Sequence, residues 1–305
     1  FTINQSINHP IKVHFMKIAV LADIHGNQRG LEAVVEHIEQ WGPDQVVVNG
    51  DVVNRGPMNG ECWNFVWEKH VTDNWKLVRG NHEEYLLNFY APKPLEREKE
   101  ADLHTFAIWA WEQVKDRALE MSTMPDRQTV FAPDGSMMFV THGTIPSNRT
   151  GIFPNSEDED LRRLTLPGPA VFVTAHTHRP LVRDIGKTKI INVGSVGLPF
   201  DGDPRVGYGQ ITWTKSAGWQ AEVIRLDYDR KAAEMDVVTS GFLDEGGPFA
   251  KLVLVEYRLA IGMIQRWHRR CGEAFFDTDI TFEESVDQFL QDNEFKDHTW
   301  RPGSR

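Results

Sequence analysis

The chain has 305 residues, with 33 lysines and arginines against 44 aspartates and glutamates, a net charge of −11. That balance argues against a general nucleic-acid binder, which carries a basic face, but leaves room for a phosphate-bearing substrate, because a bound metal inverts the local field. Apolar residues at 40% and aromatics at 10% suffice for a large core and exclude wholesale disorder, while the longest apolar runs, such as Ile18 to Ala22, fall far short of the ~20 residues that span a bilayer.

Length alone suits one large domain or two smaller ones. Phe1 to Phe15 has no charged segment followed by an apolar one, so it reads as an N-terminal arm (1–15) and not a secretory signal. Met16 directly precedes the first strand, and is either the biological start or an ordinary residue after the arm. Lys17 to Ala22 is a buried-strand run, and Leu31, Val34, Val35, Ile38 and Trp41 then recur at helical spacing until Gly42-Pro43. Gln45 to Val48 is strand-like, Trp63 and Phe65 to Trp67 suit a second helix, and Lys76 to Val78 is a third strand. This alternation indicates βαβ units.

From about Glu83 to Arg127 the pattern changes. Pro92 and Pro94 break a helical region, and Leu103, Phe106, Ala107, Ala110, Val114 and Ala118 trace one helical face, so about 83–128 reads as a helical cap insertion. Strands are expected from Val130 and at Met137 to Val140, Ala170 to Thr174, Lys189 to Val193, Gly209 to Thr214 and Gln220 to Leu226. The fold class is therefore α/β: two packed mixed β-sheets flanked by helices, with the core over 16–230. Pro248 suits a first helical residue, and Leu252, Val255, Leu259 and Met263 mark one amphipathic helix ending near Gly272. A shorter helix covers Glu283 to Phe289, making 231–305 a helical C-terminal extension whose apolar face needs a partner. Cys62 and Cys271 form no CxxC pair, so no disulfide framework is expected and a reducing cytoplasm is the default compartment.

Five of the twelve histidines lie just after apolar strand runs, beside Asp, Asn or Gly. The clusters are Asp23-Ile24-His25-Gly26-Asn27, Gly50-Asp51, Gly80-Asn81-His82-Glu83, His142-Gly143 and His176-Thr177-His178. Ligands collect outside the carboxyl ends of strands in open α/β sheets. Carboxylate, amide and imidazole donors without a thiolate suit a divalent metal of the manganese-to-zinc range. One such cluster is more often a hydrogen-bonded structural residue; five in this order are not.

The order D-x-H, G-D, G-N-H-E, H, then paired histidines resembles the calcineurin-like metallophosphoesterase superfamily over roughly 17–228. Asn192 to Gly209 looks like the glycine-rich loop of small bacterial and archaeal members, usually described as phosphodiesterases or nucleotide-phosphate hydrolases. Gly50 to Gly56 is similar to the G-D-x-x-D-R-G of serine/threonine phosphatases and symmetrical diadenosine tetraphosphatases. The resemblance implies two divalent ions, manganese first, with iron, zinc, cobalt or nickel as alternatives. Asp23, His25 and His178 would hold one; Asn81, His142 and His176 the other; Asp51 would bridge them. A hydroxide between the metals would attack phosphorus, and His82 would assist the leaving group. Arg55 would hold phosphate oxygens through its planar fork. Arg149 and Arg205 lie on loops that could overhang the metals, Arg205 as a further substrate contact, and Glu83 could orient its neighbours.

Two positions depart from the pattern. Asn54 stands where the phosphatases carry Asp, which removes a charge that could orient a neighbour. Ala175 stands where the last block usually has Gly, and alanine tolerates a positive φ poorly. Trp63, Trp67, Trp109 and Trp111 bracket the cap, and could stack a nucleobase or pack the cap on the sheet; packing is the reading adopted.

The expected function is hydrolysis of small phosphodiesters or nucleotide phosphates. A serine/threonine protein phosphatase or diadenosine polyphosphate hydrolase is the alternative, and a non-catalytic scaffold a third reading. The expected partner is a small phosphate ester, with no long nucleic acid and no membrane. The C-terminal helices are a candidate surface for a homo-oligomer.

Overall fold

A segment apolar on both faces belongs in the middle of a sheet covered on both sides, and the run Lys17 to Ala22 lies there. The computed structural model describes residues 15–90, 99–292 and 294–299. Strands and helices alternate first: β1 (Phe15–Leu21), α1 (Gln28–Trp41), β2 (Gln45–Asn49), α2 (Asn59–Asp73) and β3 (Lys76–Val78). A helical stretch follows, with α3 (Asn81–Leu87), α4 (Glu100–Leu103), α5 (Thr105–Val114) and α6 (Ala118–Thr123). Then come β4 (Arg127–Phe131), β5 (Met137–Thr141), α7 (Asp158–Leu164), β6 (Val171–Thr174), β7 (Leu181–Ile185) and β8 (Thr188–Asn192). A long hairpin, β9 (Val206–Thr214) and β10 (Gly218–Leu226), leads into α8 (Arg230–Thr239), α9 (Phe242–Glu245), α10 (Pro248–Leu259), α11 (Met263–Asp277) and α12 (Phe282–Leu290).

The strands form two five-stranded mixed sheets, in the orders β10-β9-β1-β2-β3 and β4-β5-β6-β8-β7. β1, β2 and β3 run parallel, with Ile18 opposite Gln45 and Val47 opposite Lys76. β5, β6 and β8 run parallel in the second sheet; antiparallel strands form three of the four edges, and parallel β3 the fourth. Ile18 and Val20 of β1 point between the sheets, where they meet Val140, Val173 and Ile191. Ala19 and Leu21 point the other way, onto the helices.

Eight expected strands match β1–β3, β5, β6 and β8–β10 to within a few residues, and β4 covers Val130, where the strand-rich region was expected to begin. β7 and α7 were not anticipated. β7 is an edge strand in which half-buried Arg183 and exposed Asp184 leave no apolar run, and α7 is dominated by charge. The expected single helix through Gly272 is two helices. The chain turns at Ala260, which is left-handed (φ 52°), and restarts after Gly262. The Glu256 carboxylate accepts the Met263 and Ile264 N–H groups at 2.8 and 3.2 Å, giving the new helix end the partners its first-turn amides need. Residues 1–14 of the arm and Pro92 and Pro94 lie outside the described residues; Phe15 already belongs to β1.

The apolar face of the extension finds its partner within the chain. Leu252, Val253, Leu254 and Val255 of α10 are fully buried in the cluster that includes α1, α2 and α5. Trp63 is fully buried, stacks on Trp67 and donates its indole N–H to Glu120 at 2.8 Å. Trp109 packs on Phe242, and Trp111 on Phe89. These contacts fit the packing reading of the tryptophans. Both cysteines are free thiols, Cys62 buried. Among the described residues no helix is long and apolar enough to cross a membrane.

Phe249 packs edge-on against Phe106, Trp267 and Phe282, so one ring joins α5, α10, α11 and α12. Phe249→Ala is expected to cost about 3–5 kcal/mol. Urea unfolding followed by tryptophan fluorescence measures it, and a loss below about 1 kcal/mol would mean the extension is not part of the cooperative core.

Candidate metal centre

Every strand that delivers a candidate ligand runs parallel to a neighbour in its sheet. Asp23 and His25 follow β1, Asp51 follows β2, Asn81 and His82 follow β3, His142 follows β5, and His176 and His178 follow β6. Turning most of these side chains back over their strand ends takes unusual backbone. Asp23, His25, Asp51, Asn54, Arg55, His176 and His178 all have positive φ, between 49° and 72°. Ala175 does not, so the histidine block turns at its imidazoles and needs no glycine before them.

The side chains converge. His25 Nε2 lies 3.2 Å from His178 Nε2. Asp23 Oδ1 is 3.3 Å from His178 Nε2 and 3.8 Å from His25 Nε2. Asp51 Oδ2 is 3.1 Å from His142 Nε2 and 3.7 Å from His25 Nε2, so it faces both sides of the cluster. Asn81 Oδ1 is 2.8 Å from His176 Nδ1 and 3.1 Å from His142 Nε2. Asp23, His25 and His178 form one set with ligand atoms within 4.8 Å of one another, and Asp51, His142 and His176 a second.

These residues fit a metal by their chemistry. Backbone carbonyls of Asn54, Asn49 and Leu198 accept the Nδ1–H of His25, His142 and His178. That commits Nδ1 of each ring and turns Nε2 inward as the atom that takes a cation or a proton, the arrangement that second-shell carbonyls give metal-binding histidines. Two imidazole lone pairs 3.2 Å apart repel unless a cation or proton lies between them. Asp23 Oδ1 is buried without a hydrogen-bond donor, and a buried carboxylate oxygen in that state is stable only with a positive charge beside it.

The electrostatics agree. Burial pushes the Asp51 carboxyl up, but His142 and His82 outweigh it and hold Asp51 well below the ordinary carboxylate range. Burial lowers His142, yet Asp51 and Asp23 raise it to about 10. Burial lowers His176 to about 4, and His25 well below its usual value. In the metal-free site a proton on His142 therefore supplies the positive charge that two carboxylates demand.

The framework around the ligands is equally specific. The Glu83 carboxylate accepts N–H bonds from Gly80, Asp51 and Val52 at 2.8, 2.9 and 2.7 Å, locking two strand-end turns together. It thus orients Asp51, and burial together with the Asp51 charge raises it to about 7. A Cβ on Gly80 would lie 2.0 Å from Asp51 Oδ1, which is why glycine stands there. His82 donates its backbone N–H to Asp51 Oδ1 at 2.9 Å, and its ring, 18% exposed, has Nε2 4.0 Å from Asp51 Oδ2. Burial lowers His82 to about 3, against the pull of Asp51. Asn54 Oδ1 accepts the Arg55 N–H, so its Nδ2 donates to His82 Nδ1 at 2.8 Å. His82 is the neighbour that the missing charge at position 54 would have oriented.

Arg55 is buried beside the cluster. Its guanidinium pairs with Glu256 at 3.1 Å and lies 5.3 Å from the Phe200 ring, which stacks on His178. Arg205 is not brought to the cluster: it is exposed and grips Asp203 through Nε and Nη2. Arg149 is exposed and turned to Glu84 at 3.6 Å. Sequence reading did not anticipate Glu256, Phe200 or Ser195. Ser195 Oγ donates to the Asp23 carbonyl and accepts the Leu198 N–H, which sets the carbonyl that orients His178. Only the glycine-rich loop around Ser195 gave a signal.

A metal must displace the His142 proton, so binding releases protons and tightens with rising pH. Calorimetric titration of Mn²⁺ into chelator-stripped protein, in buffers of different ionisation heat between about pH 6 and 8, is expected to show both. Uptake of no cation, or binding without proton release, would contradict this assignment.

The family model for calcineurin-like phosphoesterase matches residues 16–189. An uncharacterized protein of Methanocaldococcus jannaschii is 26% identical over 72% of this chain and 91% of its own length. The phosphodiesterase YfcE of Escherichia coli is 28% identical over 64% of this chain and 87% of its own. A symmetrical bis(5'-nucleosyl)-tetraphosphatase of Psychromonas ingrahamii matches a shorter stretch, 34% identical over 28% of this chain and 30% of its own. A metallophosphoesterase of Sphaerobacter thermophilus superposes with a TM-score of 0.61 at 21% identity, covering 81% of this chain and all of its own, a likeness of fold. The chain belongs to the calcineurin-like phosphoesterase family and is, by that membership, a metal-dependent phosphoric ester hydrolase.

Proposed function

We propose that the chain hydrolyses small phosphodiesters or nucleotide phosphates at a dinuclear centre, with Asp23, His25 and His178 on one metal, Asn81, His142 and His176 on the other, and Asp51 shared. The observation that carries the reading is the inward convergence of Nε2 lone pairs and carboxylate oxygens with Asp51 between the two sets. Two divalent ions, once bound, supply the charge that activates water and neutralises phosphate oxygens. The oxygen and nitrogen donors, without thiolate, suit manganese first. The relatives named as a phosphodiesterase and a nucleosyl-tetraphosphatase support a small phosphate ester as substrate.

The chain's own groups then divide the work. Asp51 can serve both sets because its two oxygens carry a full charge and Oδ1 is already tied to the His82 N–H. Arg55 adds a fixed positive charge beside the cluster, held in place by Glu256 and Phe200, for a phosphate oxygen. His82 offers Nε2–H to the leaving oxygen, because Asn54 occupies its Nδ1 as a donor. A neutral imidazole donates a hydrogen bond but gives up its proton reluctantly, so the site favours leaving groups that are weak bases, such as aryl oxides and phosphates.

Asp51→Asn is expected to abolish Mn²⁺-dependent turnover of bis(para-nitrophenyl) phosphate; undiminished turnover would overturn the reading. His82→Ala should lower kcat about 10²–10⁴-fold, with metal content unchanged by elemental analysis. Asn54→Asp gives Nδ1–H an acceptor and favours the imidazolium. In a series of leaving groups, its log kcat/KM should depend less steeply on leaving-group basicity than in the parent chain. A parallel dependence would mean Asn54 does not set the His82 proton.

A further inference from the structure

A cleft of about 320 Å³ opens beside the candidate metal centre, with His176 in its wall. Three arginines line it: Arg179 from the loop after β6, and Arg266 and Arg269 from α11. No carboxylate lines it, in a chain whose acidic residues outnumber its basic ones by 44 to 33. Phe153 and Phe200 complete the wall. Phe200 stacks on His178, and the Arg179 guanidinium lies 5.6 Å from the Phe153 ring.

The arginines differ in what holds them. Arg266 pairs with Glu294 at 3.0 Å. Arg179 spends its Nε on the Phe200 carbonyl at 3.0 Å and has no carboxylate partner among the described residues. Arg269 is exposed and makes no ion pair or side-chain hydrogen bond among them. Guanidinium groups left without counter-charges, facing one cavity, match the several oxygens of a phosphate. The matched family region ends at 189, so α11 and the two arginines it carries lie outside it.

We propose that this cleft is a second-anion subsite, taking a phosphate beyond the one being cleaved, so that the preferred substrates carry a chain of two or more phosphates. The proposal rests on the phosphoesterase reading above and specifies its substrate class. The phosphate chain could belong to a nucleotide or be inorganic, and the two arms below separate these.

Arg269→Glu removes a side chain with no bond to lose, and Arg162→Glu, an exposed arginine of α7, makes the same charge change outside the cleft. First, kcat/KM is measured with Mn²⁺ on diadenosine tetraphosphate and on bis(para-nitrophenyl) phosphate. Arg269→Glu should lower the ratio of the two about tenfold or more, chiefly through KM, while Arg162→Glu leaves it unchanged. Second, binding of inorganic tripolyphosphate to chelator-treated, metal-free protein is followed by calorimetry, where Arg269→Glu should weaken it about tenfold or more. An equal ratio in both variants together with equal tripolyphosphate binding overturns the subsite. A changed ratio with unaltered tripolyphosphate binding assigns the cleft to nucleotide chains, and weakened binding in both arms admits inorganic chains too. Should the parent chain turn over neither ester, the phosphoesterase reading fails, and the calorimetric arm still decides the cleft.

Discussion

Lone pairs that face each other inside a protein need something positive between them. His25 and His178 point Nε2 at one another across 3.2 Å, beside an Asp23 oxygen that no donor reaches. The tautomers that create this opposition are imposed by backbone carbonyls, so the ring protons have been committed elsewhere. Much of the surrounding architecture can be read as the means of holding that unfavourable arrangement still. The carbonyl of Leu198 is placed by Ser195, the Asp51 turn is held by Glu83, and the Asp23 carbonyl is anchored by the Ser195 hydroxyl.

The backbone carries part of the same cost. Among the described residues nine non-glycine residues have positive φ, and seven of them belong to the site: Asp23, His25, Asp51, Asn54, Arg55, His176 and His178. Each such residue costs on the order of 1–3 kcal/mol and persists only where its surroundings over-determine it. Here the surroundings are two sheets whose parallel strands are buried on both faces. A large, regular core offsets a concentrated local strain, and the strain lies where cations would return the most free energy.

How much of this could be read from the chain depended on distance. The parallel strands were legible because burial on both faces writes a continuous apolar run, as in Ile18 to Ala22 and Val46 to Val48. The ligand blocks were legible because each follows such a run directly. β7 was not, because an edge strand needs only one apolar face and Arg183 and Asp184 interrupt it. The break between α10 and α11 was hidden for a different reason: the apolar period continues through Met263, while the turn is made by a left-handed alanine and stabilised by the Glu256 side chain folded back onto the next helix. Residues that support the site from afar left no local mark. Glu256 is 201 positions from Arg55, and no periodicity or motif connects them.

That separation has a consequence for how the chain folds. Arg55 is nearly enclosed, and its partner carboxylate arrives only with Glu256. Both sheets and the three strained loops precede Glu256 in the chain, so the guanidinium receives its counter-charge only when α10 docks, and an enclosed charge without one is penalised severely by low-dielectric surroundings. α10 thus acts as a keystone: the helix that seals the apolar core also delivers the carboxylate that settles Arg55, so closing the core and setting the charge beside the cluster are one event.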